Sequence, residues 1–168
     1  MLFGPALSET VDGIEIRGRP EFLLQSKQSL ELLKPMAQFK VIQANIAIIR
    51  QGNRSGMRAW TENPTFIVGR RTWEHSVLWY ASAIAHDAYH SKLYREAKNA
   101  MGGAEPEADA WTGVAAEKQC LAFQREVMLD LNADPETIAY LEDCVKHPTY
   151  QGRNHGWGSW LDYRRRWW

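Results

Sequence analysis

The segment from Thr72 to Gly103 constrains the fold most, because it has the pattern of one long helix. Thr72 is suited to cap the N-terminus of this helix, and Glu74 in its first turn favours the positive end of the helix dipole. The apolar positions that follow are Val77, Leu78, Ala81, Ile84, Ala85 and Ala88. The pair Gly102-Gly103 marks the latest point at which the helix can end.

Two more helices are predicted after this one. The first covers roughly Asp109–Leu131. The second begins at Asp134-Pro135-Glu136, where an N-cap residue, a proline and an acidic first turn occur together, and it reaches about Lys146. From His147 onward the sequence is rich in Gly, Trp and Arg, and we expect an irregular tail.

Shorter elements are predicted ahead of the long helix. Ser26–Leu33 predicts a short helix that Pro35 ends. Phe39–Arg50 is rich in β-branched residues and predicts a strand, and Met57–Trp60 and Thr65–Val68 predict two more. We therefore expect an α+β fold, with a small, mainly antiparallel sheet followed by long helices in a single domain.

Composition narrows the classes of function. A chain of 168 residues is long enough for one domain with a hydrophobic core, and its 20 basic and 20 acidic residues balance, which gives no argument for nucleic acid as a partner. No signal peptide and no membrane-spanning segment is recognisable, so we expect a cytoplasmic protein. Cys120 and Cys144 are too few for a disulfide framework. We expect two reduced thiols, the alternative being one bridge between two helices.

The residues that carry chemistry lie within Ala83–His90. His86 and His90 are four residues apart on the predicted helix, so one small cation can accept a nitrogen from each. Asp87 projects about 100° round the helix from His86, where a carboxylate can reach a metal-bound water and act as a general base. The pattern predicts a metal site with an acid beside it. The other interpretation is a pair of surface histidines that pair with carboxylates.

A catalytic zinc site needs a third protein ligand and an open fourth position. The best candidate is Glu117 on the next predicted helix. The same helix face carries Cys120, Leu121, Gln124 and Met128. A carboxylate on so apolar a face is costly unless a cation meets it. That cation is a metal ion in one interpretation, and an arginine or a lysine in the other.

With these residues the chain resembles the zincin metallopeptidases. H-D-x-x-H on an apolar helix, followed by E-x-x-C-x-x-F on another, is most similar to the gluzincins, whose pattern is H-E-x-x-H followed by a helical glutamate. The resemblance implies that His86, His90 and Glu117 bind Zn²⁺ and that Asp87 replaces the catalytic glutamate. It also implies a small sheet whose edge strand, here Thr65–Val68, aligns a peptide by strand addition.

The chain departs from the gluzincin pattern at Asp87, which is one methylene shorter than glutamate. Its oxygens fall short by roughly 1.5 Å, and a misplacement of about 1 Å can cost about 100-fold in rate. A compensating shift of helix and water, a slow enzyme, and metal binding without turnover all remain open. The metzincin pattern fits less well, because Leu93 and Glu96 stand where it needs a glycine and a ligand. Glu96 is a reserve ligand if the helix ends early.

Two other classes of function compete with a peptidase. H-D-x-x-H also occurs in HD-type metal phosphohydrolases, but these need an upstream histidine on another helix, and His75 is predicted on the same helix. The strand-rich first third is also wrong for their all-helical fold. Alternatively, the metal is structural or the domain is an interaction module. Its fourth ligand would then be His147 or His155, and its Trp-rich tail would contact a partner.

The predicted reaction is zinc-dependent hydrolysis of a peptide bond in a peptide or protein substrate. Asp87 takes a proton from the zinc-bound water, the hydroxide attacks the carbonyl, and Asp87 returns the proton to the leaving amine. The spacing does not select among the candidate donors of a hydrogen bond to the oxyanion, which are Tyr89, Tyr94, His147 and His155.

Overall fold

The computed structural model describes residues 7–146, which form a five-stranded sheet and seven helices. The strands are β1 (Leu7–Val11), β2 (Ile14–Gly18), β3 (Ile48–Gly52), β4 (Gly56–Arg58) and β5 (Thr65–Gly69). The helices are α1 (Pro20–Leu33), α2 (Phe39–Asn45), α3 (Arg70–His75), α4 (Val77–Ala100), α5 (Asp109–Thr112), α6 (Val114–Asp130) and α7 (Pro135–Lys146). The predicted α+β class is confirmed.

The sheet is mixed, and the prediction of a mainly antiparallel sheet is wrong. Its strand order is β1-β2-β3-β5-β4, with β2, β3 and β5 parallel and with β1 and β4 antiparallel to their neighbours. Asp12 and Gly13, with φ of 48° and 85°, make the tight turn between β1 and β2. Helices α1 and α2 lie in the long connection that parallel pairing of β2 with β3 requires.

The edge strand that contacts α4, the helix of His86 and His90, is β4. The segment predicted for this role, Thr65–Val68, belongs to β5 and lies between β3 and β4, so that prediction is wrong. Strand β4 pairs with β5 from Gly56 opposite Ile67 to Arg58 opposite Thr65. In the described part of the sheet, the other side of β4 has no neighbouring strand.

Residues 39–45 form helix α2, whereas the sequence predicted a strand from Phe39 to Arg50. The strand in this region, β3, begins at Ile48. Phe39, Ile42 and Ile46 are three and four residues apart, and all three are buried in the core. This spacing places them on one side of a helix, and their burial overrides the preference of β-branched side chains for strands.

Helix α4 is the central helix and packs against α1, α2, α3 and α6. Its N-cap is Ser76, whose hydroxyl accepts a hydrogen bond from the backbone N–H of Trp79 at 3.0 Å. The predicted cap, Thr72, instead lies within α3 and is fully buried. Helix α4 ends at Ala100, just before Gly102, in agreement with the predicted stop.

The second predicted helix consists of two helices, α5 and α6, which are separated at Gly113. The backbone of Gly113 is extended (φ −75°, ψ 175°), and a Cβ there would lie 2.7 Å from the carbonyl oxygen of Asp109. Helix α7 begins at Pro135, as predicted, and the carboxylate of Asp134 accepts a hydrogen bond from the backbone N–H of Thr137 at 2.9 Å. No disulfide joins Cys120 and Cys144.

Within residues 7–146, no helix is both long and apolar enough to cross a membrane. The predicted tail from His147 onward lies outside the described residues, and with it His155 and the Trp- and Arg-rich end of the chain.

Candidate metal centre

Helices α4 and α6 bring the three predicted metal ligands together. The Nε2 atoms of His86 and His90 are 3.1 Å apart. The carboxylate oxygens of Glu117 lie 3.4 Å from Nε2 of His86 and 3.1 Å from Nε2 of His90. All three side chains are largely buried, with 13%, 12% and 9% of their surfaces exposed. Three potential ligand groups therefore converge on one point between the two helices.

A chain of hydrogen bonds fixes the orientation of His86. The hydroxyl of Ser82 donates to the carbonyl oxygen of Trp79 at 2.8 Å and accepts from the amide nitrogen of Gln124 at 3.1 Å. The amide oxygen of Gln124 therefore faces Nδ1 of His86, at 2.9 Å. Because an amide oxygen only accepts, Nδ1 of His86 carries the proton in this hydrogen bond.

The break at Gly113 provides the acceptor for His90. Since Gly113 leaves the helical conformation, the carbonyl oxygen of Trp111 near the end of α5 is available to a side chain. It accepts a hydrogen bond from Nδ1 of His90 at 2.6 Å. Nδ1 of His90 therefore also carries a proton, as in metal sites where a backbone carbonyl orients a histidine ligand.

These assignments leave both Nε2 atoms with lone pairs that face each other and the Glu117 carboxylate. Such a group of acceptors needs a cation between them, either a proton or a metal ion. Tetrahedral zinc with its usual ligand distances separates neighbouring donor atoms by about 3.3–3.5 Å. The separations of 3.1, 3.1 and 3.4 Å are close to this spacing. The spacing of these atoms is therefore compatible with a bound metal ion.

Cys120 is a fourth potential ligand that the sequence analysis did not propose. One turn after Glu117 on α6, it is fully buried, and its Sγ lies within 4.8 Å of ligand nitrogens of His86 and His90. It packs with Leu93 and Ala116. The sequence did contain the signal, because a cysteine three residues after a candidate ligand on a helix shares its face.

Asp87 lies beside this centre and lines a cavity. The cavity has a volume of about 170 Å³, and its wall includes His86, Asp87 and Glu117 together with Ser55 and Gly56 at the start of β4. The Asp87 carboxylate accepts no hydrogen bond from any side chain or backbone group in residues 7–146. The predicted base is therefore placed next to the ligands and faces a space that can hold a small molecule or part of a peptide.

Burial and neighbouring charges shift the pKa values of these groups. Burial raises the pKa of Asp87 to about 7, an effect that Glu117 reinforces and His90 opposes. It lowers the pKa of His86 to about 4, with Glu117 acting in the opposite direction. Burial also acts to lower the pKa of His90, but hydrogen bonds with Cys120 and Glu117 outweigh it and raise this pKa well above its usual value. Without metal, a protonated His90 paired with Glu117 satisfies the same atoms.

The other predicted site residues lie away from the centre or are engaged elsewhere. Glu96 pairs with Lys92 at 2.8 Å on the exposed side of α4. The helix continues past it to Ala100, so the early end that would have made Glu96 a reserve ligand does not occur. The hydroxyl of Tyr94 donates to Glu105 at 2.7 Å, and the ring of Tyr89 packs against Phe123.

His75 belongs to α3 rather than to the metal helix. It is exposed, and its ring packs edge-on against Trp79, two turns before His86. The structure therefore does not bring this upstream histidine to the His86–Asp87 pair, as an HD-type phosphohydrolase centre requires.

Comparisons with known proteins do not assign the chain to a family. No protein-family model, curated protein or solved structure matches it significantly.

Proposed function

We propose that this protein is a zinc-dependent hydrolase that cleaves peptide bonds, with His86, His90 and Glu117 as zinc ligands and Asp87 as the general base. The observation that carries the proposal is the convergence of two imidazole nitrogens and a carboxylate within 3.4 Å of one another. Because both Nδ1 atoms face hydrogen-bond acceptors, Nε2 is the atom through which each ring would bind a metal.

The protein's own residues supply the remaining functions of such a site. A bound zinc ion supplies Lewis acidity and an activated water at neutral pH. The carboxylate of Asp87 lies in the cavity wall beside His86 and Glu117, where it can accept a proton and return it to a leaving amine. Buried side chains that surround the centre, among them Phe66 and Ala83, limit the access of bulk water.

Strand β4 provides the surface for an extended peptide. Gly56 contributes both to this edge strand and to the wall of the cavity that holds Asp87. A peptide added alongside β4 would bring its backbone past the cavity, and main-chain hydrogen bonds would bind it with little dependence on sequence. This arrangement favours a peptide substrate over a small polar metabolite.

Metal analysis and one substitution test the proposal. We expect about one equivalent of zinc in the full-length protein purified without chelators, and slow cleavage of a quenched fluorescent casein. The change Asp87→Asn should retain the zinc and lower the rate by at least about 100-fold, because general-base catalysis contributes about 10²–10⁴. Asp87→Glu is the matched control, which restores the carboxylate at the gluzincin length. Unchanged activity in Asp87→Asn, or a protein that binds no zinc, would refute the proposal.

The position of Cys120 favours a second function, a metal-binding domain without turnover. If its thiolate completes a site with His86, His90 and Glu117, four protein ligands close the coordination and the metal is structural. Cobalt substitution discriminates between the two functions. A thiolate-to-cobalt charge-transfer band that disappears in Cys120→Ser, together with no detectable casein cleavage, supports the structural metal. A cobalt spectrum that Cys120→Ser leaves unchanged supports the open, catalytic site.

A further inference from the structure

We infer that Ser55 and Thr72 form a hydroxyl pair that donates a hydrogen bond to an amide carbonyl oxygen of the ligand in the Asp87 cavity. This inference deepens the proposed function, on which it rests for the class of ligand. It assigns to these two residues of the cavity wall a role in positioning the substrate. Both residues line the cavity together with His86, Asp87 and Glu117.

One of the two hydroxyl protons in this pair has no hydrogen-bond acceptor among residues 7–146. The two hydroxyl oxygens are 2.5 Å apart, so one hydroxyl donates to the other. Ser55 also accepts a hydrogen bond from the backbone N–H of Gly69 at 3.0 Å. Within residues 7–146 neither hydroxyl has another hydrogen-bond partner. Whichever hydroxyl donates within the pair, the other keeps one proton without an acceptor.

The fold holds this pair firmly at the cavity. Thr72 is fully buried on α3, and Ser55 stands in the turn just before β4. The backbone at Gly69 approaches the turn so closely that a Cβ there would lie 3.0 Å from Cα of Arg54 and 3.1 Å from the nitrogen of Ser55. This close approach keeps the Gly69 N–H on the Ser55 oxygen. A donor held in this way binds without a large loss of side-chain entropy.

The chemistry of the cavity selects a neutral amide as its ligand. The Asp87 carboxylate needs a hydrogen-bond donor, whereas the hydroxyl pair needs an acceptor. A peptide group carries both, an N–H and a C=O. An anion is disfavoured, because the carboxylates of Asp87 and Glu117 share the same cavity wall. The apolar side chains of Phe66 and Ala83 in that wall also suit a neutral ligand.

Nuclear magnetic resonance with a small peptide amide tests this assignment. The ¹⁵N-labelled full chain, with zinc and after treatment with EDTA, is titrated with acetyl-Ala-Ala-amide. We expect saturable shifts at the amides of Ser55, Gly56 and Gly69. Each of Ser55→Ala and Thr72→Val leaves one hydroxyl proton facing the cavity and should weaken binding by less than about 1.5-fold. The double variant loses both and should weaken binding by about five- to tenfold.

Thr65→Val is the matched control, because its hydroxyl bonds to the carbonyl of Asn63 and lies outside the cavity wall. It should bind the probe like the wild type. The inference would be overturned if the effect of the double variant were only the product of the two single effects, or if the double variant bound the probe like the wild type. Shifts confined to other residues would also overturn it. The map of shifts does not depend on the variants and decides the question even if one of them unfolds. A chain that binds the probe there but takes up no zinc would refute the proposed hydrolase and not the hydroxyl pair.

Discussion

Gln124 orients His86 through a hydrogen bond that the H-D-x-x-H pattern does not include. We expect Gln124→Ala to lower the affinity for zinc by about 10–100-fold, because the loss of a group that fixes the tautomer and rotamer of a ligand typically has this effect. Gln119→Ala is the control on the same helix, since Gln119 is exposed and, among residues 7–146, its amide hydrogen-bonds only to the Ala115 carbonyl at 3.5 Å. Competition with a chromophoric zinc chelator measures both affinities. Equal effects of the two changes would contradict this role for Gln124.

Asp87 makes the stability of the metal-free protein fall as the pH rises. Its pKa in the folded protein is about 7, above its ordinary value of 3.8, because of burial. The folded state therefore holds a proton that the unfolded state has lost, and this contribution to stability is present below pH 4 and is lost as the pH rises through 7. Asp87→Asn removes this dependence. Its free energy of unfolding relative to the wild type should rise between pH 4 and pH 7, by on the order of 3 kcal/mol.

Urea unfolding in EDTA at several pH values measures that difference. The comparison between variants matters, because the histidines of the same cluster also titrate in this range with shifts in both directions. A difference in stability between Asp87→Asn and the wild type that stays constant from pH 4 to pH 7 would show that the carboxylate is not buried as described.

The sequence was sufficient for the residues that lie on a regular helix and insufficient for those that depend on its ends. His86 and His90 meet because four residues make about one turn, and Glu117 is recognisable as a carboxylate on an apolar face. The acceptor on Trp111 exists only because the chain breaks at Gly113, which a helical pattern from Asp109 to Leu131 did not reveal. A backbone carbonyl such as that of Trp111 is present at every residue, so the sequence does not show which one will accept a hydrogen bond. Its role becomes visible only in the fold.

Among the elements, α4 depends on the cap at Ser76 to begin in the correct place. We expect Ser76→Ala to destabilise the protein by about 1 kcal/mol, because the backbone N–H of Trp79 loses its acceptor. Ser76→Gly should cost only a few tenths of a kcal/mol. Chemical unfolding followed by circular dichroism measures both values. If Ser76→Ala were no more destabilising than Ser76→Gly, the side chain of Ser76 would not be the cap.

An element could be predicted from the sequence where its signals are local, and could not where it depends on contacts distant in sequence. Helix α7 has its start signals within a few residues, from the cap at Asp134 to the acidic first turn, and its predicted start was correct. The segment from Phe39 to Arg50 contains two elements, and its β-branched residues serve both a helix face and a strand. The parallel pairing of β2 with β3 depends on contacts between residues far apart in sequence, which a local pattern does not specify.

At the scale of the whole molecule, the candidate metal centre lies where the two largest helices meet. Helix α4 packs against α6 more extensively than any other pair of described elements, and His86, His90 and Glu117 lie within that interface. A buried carboxylate there weakens the packing unless a cation offsets it. The zinc ion that we propose would therefore join the central helix to its main partner, so its binding free energy would also stabilise the fold.

Zinc should accordingly raise the melting temperature of the entire domain. At a free zinc concentration about 1,000 times the dissociation constant, binding to the folded state alone adds about 4 kcal/mol. For a chain of this length each kcal/mol raises the melting temperature by about 2–4 °C, so we expect a rise of about 8–16 °C over protein in EDTA, measured by differential scanning calorimetry. The double variant His86→Ala/His90→Ala should show no rise, whereas Asp87→Asn should keep it in full, because the base does not hold the metal. A rise of less than about 2 °C in the wild type would show that zinc does not stabilise the fold, and an equal rise in the double variant would place the stabilising zinc elsewhere. Either result would leave this centre as a protonated histidine–carboxylate cluster.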